Sequence, residues 1–410
     1  HILLKKDLFV VCCFLFIIQC SYASYNLRQY SSQNGLSNSA ILSLCQDSRG
    51  KIWIGSCDGL NIYDGTYLGL YKSTDLSLNF SGNQIEKIIE ADDDILWIQT
   101  NLGLDRFDMK KQVIDRFPEF RYINHMALSS ENDFFILKDD GYIWCYLSKT
   151  KEFYRLETEK LHVENVYQLA VDSYGILWVF SSDNDNRSYK IQRNGELLEL
   201  VPCHYLNHQE NILWAFVEGE LLYFIDDTYS FYECELSNHK IYYVADLENE
   251  IRERGEVSSV IKSGNDYFIG FKRSGLIQLR YLPESKVKYD VSSIAIQSGI
   301  FSLMKDRFQD IVWVGTDGEG VYMCFTDEAS IQNTLLNTPE FRVNNPVRAL
   351  FLDHEKTLWV GTKGGGILKI LDFHLDNKKH PQVEKILSGS SALISCCGRW
   401  KRSAICSLYL

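Results

Sequence analysis

One short pattern recurs along the chain and limits the folds open to it. Asp47-Ser48-Arg49-Gly50-Lys51-Ile52-Trp53-Ile54-Gly55 is followed by Asp58-Gly59-Leu60. Late copies read Ile311-Val312-Trp313-Val314-Gly315-Thr316 and Leu358-Trp359-Val360-Gly361-Thr362. Aligned on the aromatic, the copies fall at Trp53, Trp97, Phe135, Trp178, Trp214, Phe268, Trp313 and Trp359. From 53 to 359 in seven steps, the mean interval is about 44 residues, the length of a four-stranded propeller blade.

The chemistry within a copy agrees. Ala40-Ile41-Leu42-Ser43-Leu44 reads as a strand. Asp47-Ser48-Arg49-Gly50 reads as a hairpin turn, in which Asp bonds its own backbone and Gly accepts a positive φ. Ile52-Trp53-Ile54 is the next strand. Asp58-Gly59 turns again, as Asn101-Leu102-Gly103-Leu104 does in the second copy. Three successive apolar residues mark a strand buried on both faces, so each blade is expected to lie between two others. The Trp is then an inter-blade wedge. The Gly two residues after the aromatic (Gly55, Gly270, Gly315, Gly361) is expected to let neighbouring backbones approach closely. The interval from Trp214 to Phe268 is the longest, and its charged stretch 248–254 is expected to be a long loop.

These residues carry a family resemblance. Asn34-Gly35-Leu36-Ser37-Asn38, the Asp-x-x-Gly-x-Ile-Trp-Ile-Gly run and Asp64-Gly65 together resemble the two-component regulator propeller repeat. That repeat fills the periplasmic sensor region of hybrid two-component histidine kinases of Bacteroidetes. The resemblance covers roughly residues 25–395, and is strongest in the first, seventh and eighth copies. In the family, two seven-bladed propellers precede a small β-domain, a membrane helix and the kinase. It therefore implies an all-β chain. Residues 24–330 would form a seven-bladed β-propeller of four-stranded blades, and 331–395 the first blade or blades of a second. Tyr25-Asn26-Leu27-Arg28-Gln29-Tyr30 would supply the outer strand of the seventh blade, and closure of that kind removes exposed strand edges. The alternative is a single eight-bladed or open ring.

Both ends of the sequence stand apart. Residues 1–23 read as a signal peptide: Lys5 and Lys6, an apolar run from Leu8 to Ile18, and small residues before cleavage after Ala23. That run is too short for a spanning helix. Near the other end, Ser391-Ala392-Leu393-Ile394-Ser395 resembles the first strand of a ninth copy, but Ile405 stands where its Trp is due. Residues 396–410 are therefore expected to be an aberrant tail following a frameshift.

Composition excludes several functions. A formal net charge of -12, with no Lys/Arg stripe in the body of the chain, argues against a nucleic-acid partner. Six of the 12 Cys residues (Cys45, Cys57, Cys145, Cys203, Cys234, Cys324) are scattered without metal or pairing spacing, and read as thiols. Residues 315–320 and 361–366 lack the Gly-Lys-Ser/Thr ending of a phosphate loop and read as turns. His204 and His208 lack the Glu of a zinc helix and read as loop residues. Asp183-Asn184-Asp185-Asn186 opens like a calcium loop without its later Gly and Glu. Asp92-Asp93-Asp94 sits at a turn, not across a cleft. No catalytic residue, metal or cofactor is expected. Tyr229, Phe231 and Tyr232 are the aromatics expected on a ring face, where they would stack on sugars.

By resemblance, the function is extracytoplasmic sensing of an oligosaccharide, with binding favouring one arrangement of two sensor chains. A homodimer of the full-length protein and membrane contact through a downstream helix follow from the same resemblance. The ligand-binding residues are not legible in the sequence. The rival readings are an exported propeller glycosidase or lyase, and a protein-interaction propeller.

Overall fold

The structure is a computed structural model that describes residues 25–71, 80–91, 94–183, 185–195, 197–203, 212–282, 288–326, 347–353, 355, 357–362, 366–371, 383–387, 393–397 and 405–409. The expected signal peptide, Asp92, Asp93, Asn184, the segment holding His204 and His208, and residues 363–365 lie outside the described residues. The chain divides into two compact units, His1–Ala329 and Ser330–Leu410.

Among the described residues, the first unit contains seven antiparallel sheets of four strands each. Blade 1 is built from Ile41–Gln46, Ile52–Ser56, Gly59–Tyr63 and Leu68–Tyr71, in that order from first strand to last. Blades 2 to 6 repeat the meander, with first strands Ile85–Glu90, Ile123–Leu128, Val166–Val171, Ile212–Glu218 and Val257–Ser263. Blade 7 takes three strands from the end of the unit (Ile300–Lys305, Ile311–Thr316, Val321–Thr326). Its fourth is Tyr25–Tyr30, with Leu27 opposite Cys324 and Tyr30 opposite Val321. The first strand of blade 1 touches the first strands of both blade 2 and blade 7, so the first strands form the inner wall of a closed ring.

Seven apolar clusters hold the blades together, one at each junction. Trp53 packs with Phe80, Ile85, Leu96 and Phe107 of blade 2. Trp178 packs with Ile212, Ala215, Leu222 and Phe224 of blade 5. Trp313 packs with Ile41, Ile52, Ile54 and Tyr63 of blade 1, which joins the last blade to the first. Trp97, Phe135 and Phe268 occupy the same place at their own junctions. Each aromatic therefore covers the next blade, as a wedge should.

The glycines after the aromatic explain the spacing of the sheets. A Cβ on Gly55 would lie 2.7 Å from Cγ2 of Ile85 and 2.9 Å from its carbonyl oxygen. On Gly270 it would lie 2.7 Å from Cγ2 of Ile300, and on Gly315 2.9 Å from Cγ2 of Ile41. Ile85, Ile300 and Ile41 each begin the first strand of the following blade. Gly361 holds the same register position in the second unit, opposite Ala349. Gly59 and Gly103 each open a third strand, paired with Ser56 and Thr100.

A buried carboxylate fixes both the hairpin and the wedge. Asp172 Oδ1 accepts the backbone N–H groups of Tyr174 (2.8 Å) and Ile176 (2.9 Å), while its Oδ2 accepts the indole N–H of Trp178 at 2.8 Å. The same arrangement links Asp47 to Trp53 at 2.9 Å, Asp306 to Trp313 at 3.1 Å, and Asp353 to Trp359 at 2.9 Å. Blade 2 has Ala91 at the corresponding place, and there Trp97 stacks on Phe134 at 4.6 Å between ring centres.

Three sequence expectations are corrected. Trp214 does not hold the wedge position: it lies in the first strand of blade 5, opposite Ile225, where Ser43 stands opposite Gly55 in blade 1. Tyr223 on the second strand, opposite Phe216, is the wedge, packed against Tyr267 of blade 6. Tyr223 is 45 residues from both Trp178 and Phe268, so the long interval before Phe268 disappears. The stretch Glu248–Arg254 is a helix, not a loop, held by i,i+4 pairs of Glu248 with Arg252 and Glu250 with Arg254. Phe231 is fully buried at the junction of blades 5 and 6 and faces no ligand; Tyr232 stacks on Phe224.

In the second unit, Val347–Leu352, Leu358–Thr362, Gly366–Ile370 and Val383–Leu387 form one four-stranded sheet. Leu393–Cys397 pairs with Ile405–Tyr409, Leu393 opposite Tyr409.

Candidate functional site: the wall of the central channel

The sheets cover one another's faces, so the first strands are where the ring meets solvent along its axis. Every first strand carries a β-bulge at the same place, between Ile41 and Ser43, Ile85 and Lys87, Ile123 and His125, Val166 and Gln168, Ile212 and Trp214, Val257 and Ser259, and Ile300 and Ser302. A bulge sets two residues against one and re-aims a side chain. The inserted residues form a ring: Leu42, Glu86, Asn124, Tyr167, Leu213, Ser258 and Phe301. Leu213 and Phe301 are 48% and 40% exposed although both sit on innermost strands. The ring is mixed in character, apolar at blades 5, 7 and 1 and polar at blades 2, 3 and 6.

In blades 1 to 4 the residue after the bulge reaches across to the next blade. Ser43 Oγ accepts the N–H of Ile88 at 3.0 Å. Lys87 Nζ donates to the carbonyl of Met126 at 3.1 Å. His125 Nε2 lies 2.9 Å from the carbonyl of Val166. Gln168 accepts the N–H of Val217 at 3.2 Å and donates to its carbonyl at 3.4 Å. A first strand has an unpaired edge, and its backbone groups need partners. Side chains of the preceding blade supply them here.

This wall holds two perturbed bases. Burial lowers the Lys87 ammonium to about 8. Burial, and then the charge of Lys87, lowers the His125 imidazole to about 4. Among the described residues Lys87 makes no ion pair, and Glu86 beside it takes the amide of Gln99 at 2.7 Å. Toward the hairpin side, the charges are matched: Arg307 with Glu90 at 2.7 Å, and Lys262 with Glu233 at 2.7 Å, where Tyr267 also donates to Glu233.

The other sequence candidates are placed elsewhere. Asp183 accepts from Ser181 and Asn165, both at 2.6 Å, and Asp185 pairs with Arg187. Asp94 sits at a turn with φ 79° and pairs with Arg49. Residues 317–320 are a turn between strands, closed by Thr316 donating to the carbonyl of Gly320 at 2.7 Å. Among the described thiols, Cys145, Cys234 and Cys324 are buried and Cys57 is exposed. No helix among the described residues is long and apolar enough to cross a membrane. The bulge ring escaped sequence reading, because nothing in Ala40-Ile41-Leu42-Ser43 marks which residue is inserted.

The two component regulator propeller model matches residues 35–58 and 342–364, the first wedge copy and the lead into the last. Both segments are similar to two component regulator propeller repeats. The first begins at Gly35-Leu36-Ser37, where Ser37 and Asn61 bond each other twice, at 3.0 and 2.8 Å. No curated protein matches the chain significantly in sequence. Among solved structures, the chain is similar to the extracellular domain of the hybrid two component system BT3049 of B. thetaiotaomicron. The identity is 19%, the TM-score 0.54, and the match covers 90% of this chain and 50% of that one. The corresponding domain of BT4673 gives 18% identity and a TM-score of 0.53, covering 90% and 49%. The chain thus spans about half the length of these neighbours. A streptogramin B lyase is matched at 9% identity and TM-score 0.54, over 74% of this chain and 98% of the lyase. All three share the propeller fold.

Proposed function

We propose that this chain is the extracytoplasmic, ligand-receiving portion of a hybrid two-component sensor histidine kinase, and that its ligand is an oligosaccharide. The observation that carries the reading is the propeller repeat at both ends of the described fold, joined to likeness over 90% of the chain with extracellular domains of such systems. The chain itself is proposed to transfer no phosphate. The membrane and kinase regions of the sensor would lie on sequence outside these 410 residues. Ligand binding would signal by favouring one arrangement of two sensor chains over another.

Isothermal calorimetry of the purified chain against a panel of plant and host oligosaccharides tests this reading. Saturable heat with an unchanged glycan supports it. Release of cleaved product would replace it with a lyase or hydrolase, and the absence of heat with every glycan would remove the oligosaccharide.

A further inference from the structure

We propose that the channel wall of blades 2 to 4 takes the carboxylate of an acidic ligand, with Lys87 as its counter-charge. The argument begins with a missing partner. An ammonium group has three protons to donate. Lys87 places one on the carbonyl of Met126 and, among the described residues, meets no carboxylate. A charge drawn partly out of water is usually paired, because desolvation is costly. The partly buried Lys262 of blade 6 is paired in this way, lying on Glu233. The nearest acid by sequence, Glu86, is turned to Gln99.

The surroundings suit a carboxylate. His125 gives its Nε2 proton to the carbonyl of Val166, one blade on from Lys87, and leaves the anion to other donors. Asn124, the inserted residue of the same bulge, is exposed and brings an amide to the wall. A carboxylate against Lys87 would accept a charge-assisted hydrogen bond in a place of restricted water. Beyond the polar arc, Tyr167 and the exposed Leu213 give an apolar surface on the adjoining bulges. Polar donors on one arc and an apolar surface on the next match a sugar ring bearing an acid group. The class is therefore a uronate-containing saccharide. The saccharide part rests on the proposed sensor function; the carboxylate part rests on Lys87 alone.

The test uses the purified chain with galacturonate and its short oligomers, against galactose and neutral oligomers of the same length. Calorimetry should show binding of the acidic set, weakened about tenfold or more by Lys87→Met and by raised salt. A second measurement needs no variant. Acetylation of Lys87 by acetic anhydride at pH 8, read by peptide mass spectrometry, should be slowed by galacturonate and not by galactose. Acidic binding that is indifferent to Lys87→Met, with no protection, overturns the assignment. Binding of neutral oligomers alone overturns the carboxylate and leaves the oligosaccharide sensor standing. Binding of neither set overturns both.

Discussion

The buried pair of Asp172 and Trp178 gives the sharpest energetic prediction. One carboxylate serves three donors: two turn N–H groups on Oδ1 and the indole N–H on Oδ2. Asp172→Asn leaves one oxygen for donors on both sides. Whichever way the amide turns, its NH2 faces an N–H group. The loss of a hydrogen bond to a charged group costs about 1.5–3 kcal/mol. Trp178→Phe removes the indole N–H and leaves Oδ2 buried without a donor, for a similar cost plus that of the lost ring volume. In the double variant the asparagine oxygen is free to serve the turn, so the two penalties overlap. The coupling should be about 1.5–2 kcal/mol. Urea unfolding followed by far-UV circular dichroism on wild type, both singles and the double measures it. Additivity within about 0.5 kcal/mol would show that the carboxylate does not tie the turn to the wedge.

Three further outcomes follow from particular contacts. Gly270→Ala pushes a methyl into Ile300 across the junction of blades 6 and 7 and should destabilise by ~1–3 kcal/mol in urea; an unchanged midpoint would contradict the close approach. Tyr223→Ala should cost ~3–5 kcal/mol and Trp214→Ala clearly less, because Tyr223 is buried and Trp214 only partly so; the reverse order in the same assay would restore Trp214 as the wedge. His125 titrates lower when folded (about 4) than when unfolded (about 6.5), so only the unfolded chain takes up its proton between those values. Stability should therefore fall as pH drops from 6.5 toward 4, by up to about 3 kcal/mol. His125→Gln should flatten that part of the profile, and an unaltered slope would show that His125 is not the group responsible.

How much of this was legible depended on what each feature leaves in the sequence. The wedge aromatics and their glycines were readable because one junction imposes one shape: a ring at the second strand and no Cβ two residues on. The Asp–Trp bond leaves its own mark in the sequence, a spacing of six residues at 47/53, 172/178 and 353/359. Ile212-Leu213-Trp214 is misleading because it imitates Ile176-Leu177-Trp178 and so draws the aromatic alignment away from Tyr223. Glu248 and Glu250, each four residues ahead of an Arg, were a helix signal within a stretch read only for its charge. The channel wall was the least legible part. Its residues differ from blade to blade, as Ser43, Lys87, His125 and Gln168 do, because the axis does not impose a common shape as the junctions do.

Ring closure by the first strand is the central claim, and a single disulfide measures it. Leu27 and Cys324 face each other in antiparallel register, and such partners have Cα atoms about 4.5–5.5 Å apart, within disulfide range. Leu27→Cys, refolded under oxidising conditions and mapped by peptide mass spectrometry, should yield an intramolecular link from residue 27 to residue 324. Free thiols at both positions, or links formed only between molecules, would contradict the closed ring.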